Sequence, residues 1–361
     1  MTAGRPGASG ALPPGASGVG PPRGALTADP GLSRDYLAPF PVDIPLTLSV
    51  HRHGGGDPAY ATDAAGAVWR TSLTPDGPAT LQLRTRGAVV TALAWGPGAG
   101  WLLDRVPDWL GFHDDRSGFA AHHPVVGELA LRYEGLRVGR TGRVFEALVP
   151  AVLEQKVVGR EAHRAWRFLL LTYGEAAPGP APARMRVIPP PQTWARIPSW
   201  DWHRAGVEGV RARTIINAAA VAARLEDALD LAPAEADRRL RSLPGIGVWT
   251  SAEIRQRAMG DPDAVSVGDY HLPNAVGWTL ARRKTDDAGM LELLAPYAGH
   301  RYRVTRLVEL GGSAPRATAR TCPSATTAPS NPTTAPPNPG APNSRRTLAL
   351  GAPLLTQEHP F

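Results

Sequence analysis

The sequence of 361 residues is almost without cysteine; Cys322 is the only one. A single thiol cannot close an intrachain disulfide. Nor can it build the four-thiolate site of a structural zinc ion or an all-cysteine iron–sulfur cluster. Short-range zinc spacings such as HExxH are missing as well, and His122, His123, His271 and His300 stand in no such pattern. No metal centre and no cofactor is therefore expected. Long apolar runs are also absent: nothing approaches 18 uninterrupted apolar residues, so no helical membrane span is expected. The opening stretch, MTAGRPGASGALPPGASG, lacks the continuous apolar core of a signal peptide. Together these absences predict a cytoplasmic protein with no membrane partner.

Positive charge is in modest excess. Lys and Arg number 39 against 32 acidic residues, a formal charge of +7, which favours a polyanionic partner but is common in proteins that have none. Residues 1–30 are rich in Gly, Pro, Ala and Ser with no periodic apolar face, and 313–361 is similar low-complexity sequence, so both ends are expected to be disordered tails. Between them the hydrophobic period changes once. Leu46, Leu48 and Val50 alternate with polar positions, as do Leu81 and Leu83, and Val89, Leu93 and Trp95 keep one parity. A period of two with short Gly-, Asp- and Pro-containing gaps predicts half-buried antiparallel strands. From about residue 100 the period is helical. Phe145, Leu148, Val149, Val152 and Leu153 form one stripe, followed by Ile215 with Ala219, Leu272 with Val276 and Leu280, and Val304 with Leu307 and Val308. The expected fold class is α+β: a small antiparallel β-rich N-terminal domain over 31–118 and a mainly α-helical domain over 119–312.

The most informative stretch is APAEADRRLRSLPGIGVWTSAEIRQRAMG, which reads as a helical hairpin over 233–258. Pro233 opens a short helix, Leu243-Pro244-Gly245-Ile246-Gly247 makes a tight turn, and Trp249 to Ala258 forms the second helix. The amides of Gly245, Gly247, Val248, Trp249 and Thr250, at and before that helix start, are candidates to hold a phosphate. A plain joint between two helices fits the turn equally well. Downstream, DPDAVSVGDYHLPNAVGWTL places Asp269 just before the next helical run. There it either caps a helix or faces the cleft beside the hairpin, and the two roles are compatible. An ionised carboxylate in such a cleft can stabilise positive charge on a deoxyribose ring or orient a water towards C1′. Trp249, Tyr270, Trp278 and Tyr297 surround this segment and offer flat faces on which a flipped base can stack.

LPGIGVWTSAEI followed by DAVSVGDYHLPNAVGW resembles the helix–hairpin–helix (HhH-GPD) DNA glycosylase superfamily, and within it the bacterial 3-methyladenine DNA glycosylase II branch. ALVPAVLEQKVVGREAHRAW resembles the first helix of that branch's catalytic domain, and the resemblance extends over about 40–310. It implies Asp269 as the catalytic carboxylate, with Trp249 and Tyr270, and approximately Tyr297, as pocket aromatics; Trp278 is a pocket candidate by its place in the following helical run. It further implies that Gln155 and Lys156 lie in the loop entering the duplex and that carbonyls of the turn at Leu243 and Ile246 are a site for a monovalent cation; His271, beside Asp269 and Tyr270, is a candidate for the DNA side of the cleft by its position. Trp249 stands where strand-cleaving members carry a Schiff-base lysine, which implies hydrolysis without strand cleavage. Two positions depart from the pattern: Gly268 replaces the acidic residue that usually precedes the catalytic one, and Lys156 replaces an apolar wedge. The implied partner is double-stranded DNA with a flipped alkylated base. The implied protein is a bacterial, cytoplasmic monomer, nucleoid-associated when bound. A non-catalytic DNA-binding protein with the same hairpin is the alternative.

Overall fold

Alternation of side chains decides the first half of the fold. The computed structural model describes residues 31–312; Cys322 and both segments expected to be disordered lie outside the described residues. Five strands, β1 (Leu32–Leu37), β2 (Tyr60–Thr62), β3 (Val68–Thr74), β4 (Gly77–Arg86) and β5 (Val89–Trp95), form one antiparallel sheet in the order β1-β5-β4-β3-β2. Leu81 and Leu83 sit opposite Ala94 and Ala92 and share their buried face with Val90. Helix α1 (Ala99–Trp109) covers that face through Leu102, Val106 and Trp109. The other face is covered too, by Trp69 stacked on Trp95 with ring centroids 5.5 Å apart, and by Met185.

Two expectations about this region need correcting. The residues of β5 that face the main core are Val90, Ala92 and Ala94, whereas Leu93 and Trp95 belong to the tryptophan face and Val89 is exposed. Alanines pack closely beneath a helix, and a pattern read from large apolar residues overlooks them. Leu46, Leu48 and Val50 are not in a strand. They lie in a short helix, Ile44–Leu48, and the 3-10 turn after it, Ser49–His51. Asp43 Oδ1 accepts the Leu46 amide at 2.8 Å and Pro45 stands in the first turn, so local capping overrides the period of two.

The second half is helical. Helix α2 (Val144–Leu153) is buried along all ten residues and runs through the largest core. Its first amides, on Val144 and Phe145, donate at 2.8 and 3.0 Å to the carboxylate of Glu226, a partner more than eighty residues away. Around it pack α3 (Gly159–Tyr173) and α4 (Gly209–Ala220), then the hairpin pair α5 (Pro233–Arg241) and α6 (Val248–Ile254). A wider helical turn, Arg255–Met259, continues α6. Helices α7 (Leu272–Ala281), α8 (Asp287–Leu294) and α9 (Arg301–Gly311) enclose a second helical core around Val276, Met290, Leu294 and Val304. Among the described residues no helix is long and apolar enough to cross a membrane.

A buried ion pair joins the sheet to α2. Arg70 on β3 donates to Glu146 Oε1 at 2.8 Å, Ser72 donates to Oε2 at 2.7 Å, and the Arg70 guanidinium lies over the Trp109 ring. Both charged side chains are less than a tenth exposed, so neither can return to water when its partner is lost. Glu146→Ala is expected to lower unfolding free energy by about 3–5 kcal/mol in chemical denaturation. A loss near zero would exclude the pair as the tie between the two halves.

Candidate active site

The hairpin turn is shaped by one close approach. Gly245 has φ +92°, and a Cβ there would lie 2.1 Å from Thr214 Oγ1 on α4. Only glycine meets both demands. Gly247 is different, with φ −92° and open space where a side chain would project. Ile246, 5% exposed, plugs into the main core between the helices, and its amide closes the turn on the Leu243 carbonyl at 3.1 Å. The loop after α2 braces the same turn, because Gln155 Nε2 donates to the Gly245 carbonyl at 2.9 Å and to Thr250 Oγ1 at 2.8 Å. Thr250 is buried, while Val248 is exposed at the helix start.

Asp269 lies at the opposite side of the junction, ahead of α7. Its Oδ1 accepts the amides of His271 at 2.7 Å and Leu272 at 2.8 Å, which orders the start of that helix. Its Oδ2 accepts the indole N–H of Trp249 at 3.2 Å. The carboxylate is therefore both a helix-start acceptor and the point where α6 and α7 meet. Before it, Gly268 takes φ +91°, with open space beside it, and its amide donates to Asp287 Oδ1 at 3.1 Å.

A buried polar network fixes the spacing between hairpin and Asp269. Glu253 on α6 accepts the Ser266 hydroxyl on one oxygen and Arg257 Nη1, at 2.6 Å, on the other. Gln256 Nε2 donates at 2.9 Å both to Ser266 Oγ and to the Ala264 carbonyl. The Asp269 amide then returns to the Ser266 carbonyl at 3.2 Å. Burial pushes the Glu253 carboxyl up, and the Arg257 guanidinium works against that rise.

Of the four aromatics marked in the sequence, Trp249 is the one hydrogen-bonded to Asp269. Tyr270 is 86% exposed and meets the His271 ring edge-on at 4.8 Å, leaving both residues on the open surface. Trp278 is half-buried on α7, with its indole nitrogen enclosed and unpartnered. Tyr297 is 2% exposed, and its hydroxyl contacts the backbone amide and Nδ1 of His123. Its ring packs against Phe119, His122 and His123, which leaves no open face for a base. Gln155 is engaged with the hairpin, and the next residue, Lys156, is exposed in a left-handed conformation with φ +54°. Arg255 and Arg257, in the turn that continues α6, are paired internally with Asp261 and Glu253.

One group of functional type was missed. His53, Glu154 and His163 converge with ligand-type atoms within 4.8 Å of one another. His53 and Glu154 stand 101 positions apart, so no local spacing could have signalled them. Two clefts, of about 480 and 200 Å³, are lined by other residues and include neither Trp249 nor Asp269.

An antiparallel sheet followed by a predominantly helical domain of helix–hairpin–helix glycosylase type is the fold this chain shares with solved DNA glycosylases. The chain has structural similarity and distant sequence similarity to that superfamily. It is similar to the 3-methyladenine DNA glycosylase of Archaeoglobus fulgidus, with a TM-score of 0.64 at 15% identity over 76% of this chain and 97% of that one. It is also similar to the 8-oxoguanine glycosylase/lyase of Clostridium acetobutylicum, with a TM-score of 0.61 at 11% identity over 78% and 98% of the two chains. In sequence, 143 residues are 33% identical to the probable bifunctional transcriptional activator/DNA repair enzyme AlkA of Mycobacterium tuberculosis, covering 38% of this chain. The match spans 28% of that relative's length. No family model matches the chain.

The two turn glycines are expected to respond unequally to substitution. Gly245→Ala should destabilise the protein by about 1–3 kcal/mol, since it adds backbone strain as well as a clash with Thr214. Gly247→Ala should change the thermal midpoint little. Equal effects in paired melting experiments would remove the close approach as the reason for glycine at 245.

Proposed function

We propose that this protein is a monofunctional DNA glycosylase that hydrolyses the N-glycosidic bond of alkylated purines, of the 3-methyladenine and 7-methylguanine type, in duplex DNA. The observation that carries this reading is the bond between the Trp249 indole and Asp269. A ring that can stack on a flipped base is tied at its N–H to a carboxylate, so a base over Trp249 would bring its sugar towards Asp269. Alkylation leaves the purine positively charged, which favours stacking on an electron-rich indole and makes the base a good leaving group. The N-glycosidic bond breaks with its electron pair moving to the base. Asp269 stabilises the oxocarbenium-like sugar and accepts a proton from the water that adds to C1′.

Hydrolysis without strand cleavage follows from the amines available. The whole sequence contains two lysines, Lys156 and Lys284, and neither stands in the hairpin, where Trp249 occupies the position implied for a Schiff-base lysine. The amides that open α6 would hold a phosphate, and a monovalent cation on the Leu243 and Ile246 carbonyls would support the turn. Lys156 would reach the duplex from its exposed loop, and His271 would face the DNA beside Tyr270. The +7 charge favours the approach to DNA, and the chemistry asks only for a monomer.

The test is release of methylated bases from alkylated genomic DNA, read by mass spectrometry. Asp269→Asn is expected to lower excision by about 10²–10⁴-fold while duplex binding stays within a few-fold of wild type. Near-normal turnover by that variant would overturn the assignment. Wild-type protein that binds damaged and intact duplex alike and frees no base would establish the non-catalytic alternative. Trp249→Lys is expected to give no efficient strand cleavage, because the surroundings are built around an indole.

A further inference from the structure

We propose that His53, Glu154 and His163 form a binding site for a divalent transition-metal ion of the zinc class, which fastens the loop after α2 to the sheet-bearing half of the protein. Two imidazoles and one carboxylate are the donor set that suits such an ion, whereas calcium and magnesium take oxygen donors. His53 Nδ1 lies 3.1 Å from Glu154 Oε1, His163 Nε2 lies 3.9 Å from the same oxygen, and all three ligand atoms fall within 4.8 Å of one another. Tetrahedral zinc with bonds near 2.0–2.1 Å places its ligand atoms about 3.3–3.4 Å apart. The carboxylate distances straddle that spacing, and the wider separations would have to close by about an ångström.

The surroundings are those of a held site and not of three surface residues in chance proximity. The His53 side chain is 9% exposed, and those of Glu154 and His163 are 22% and 27% exposed, so the group is enclosed on one side and open on the other. Three protein ligands with one open side leave a coordination position for water. Behind them Asp57 accepts the His53 amide at 2.8 Å on one oxygen and the Trp166 indole at 2.8 Å on the other. Trp166 meets the His53 ring edge-on at 5.1 Å. Gly54, at φ +76°, passes so close that a Cβ would lie 2.6 Å from His163 Nδ1. Of the cations near the group, Arg257 is paired with Glu253 and Arg167 donates to the Gly55 carbonyl.

The three ligands come from three segments: the stretch before β2, the end of α2 and the first turns of α3. Glu154 immediately precedes Gln155, whose amide grips the hairpin turn. An ion here would fix from behind the loop that Gln155 fixes from the front. Its effect on DNA contact by Lys156 rests on the proposed glycosylase reading, but metal uptake does not.

The test uses tag-free, full-length protein treated with a chelator and desalted. It is titrated with Zn²⁺ by calorimetry and with Co²⁺ by visible absorption. One equivalent per chain, cobalt bands of a low-coordinate site and a higher thermal midpoint with zinc are expected. His163→Gln and Glu154→Gln should each weaken affinity at least about tenfold. Uptake of less than a tenth of an equivalent by the wild-type chain would overturn the site, and so would unchanged affinity in both glutamine variants. These readouts require no excision activity, so failure of the metal site and failure of the glycosylase reading are separate results.

Discussion

Glu253 is buried behind the hairpin, and different segments claim its two oxygens. Ser266 donates to one and Arg257 to the other. The junction between Trp249 and Asp269 depends on this arrangement. A single hydrogen bond of 3.2 Å at a partly exposed surface would not hold two helix starts in register. A buried carboxylate that must keep both partners does so, because leaving it unpaired is costly. The segment 264–266 is thereby pinned to α6, and Asp269 follows three residues later with its amide returned to the Ser266 carbonyl. The exposed carboxylate takes its position from the hidden one.

The same logic carries the sheet. Arg257 reaches past Glu253 to donate to the Val50 carbonyl at 3.0 Å, and Arg70 crosses from β3 to Glu146 on α2. Polar groups with little access to water thus help to tie the β-rich part to the helices. Helix α2 gains its central role in the same way. It is apolar nearly all round, is capped by Glu226, and ends in the loop whose Gln155 supports the hairpin.

What was legible in the sequence depended on how locally its cause is encoded. The hairpin was readable because Pro233 and Gly245 act within a few residues of themselves, and Asp269 because helix-start acceptors do the same. Leu46, Leu48 and Val50 misled because alternation and capping by Asp43 compete over the same short stretch, and capping prevailed. Gly245 and Gly247 look alike in sequence, yet the difference between them is made by Thr214, some thirty residues away. Tyr297 lies in the right region, but its partners His122, His123 and Phe119 come from the far end of the helical half and bury it. The grouping of His53, Glu154 and His163 requires the sheet and the helices to be docked, so no window along the chain contains it.

Gly268 stands where the resemblance to the glycosylases predicts an acidic residue. Its φ of +91° makes a side chain there strained, although the space beside it is open. Asp287, from α8, brings a carboxylate to the amide of that very residue. A carboxylate from another part of the chain thus stands at the residue that precedes Asp269. Read along the sequence the position is only a glycine, whereas the fold brings a carboxylate to its amide.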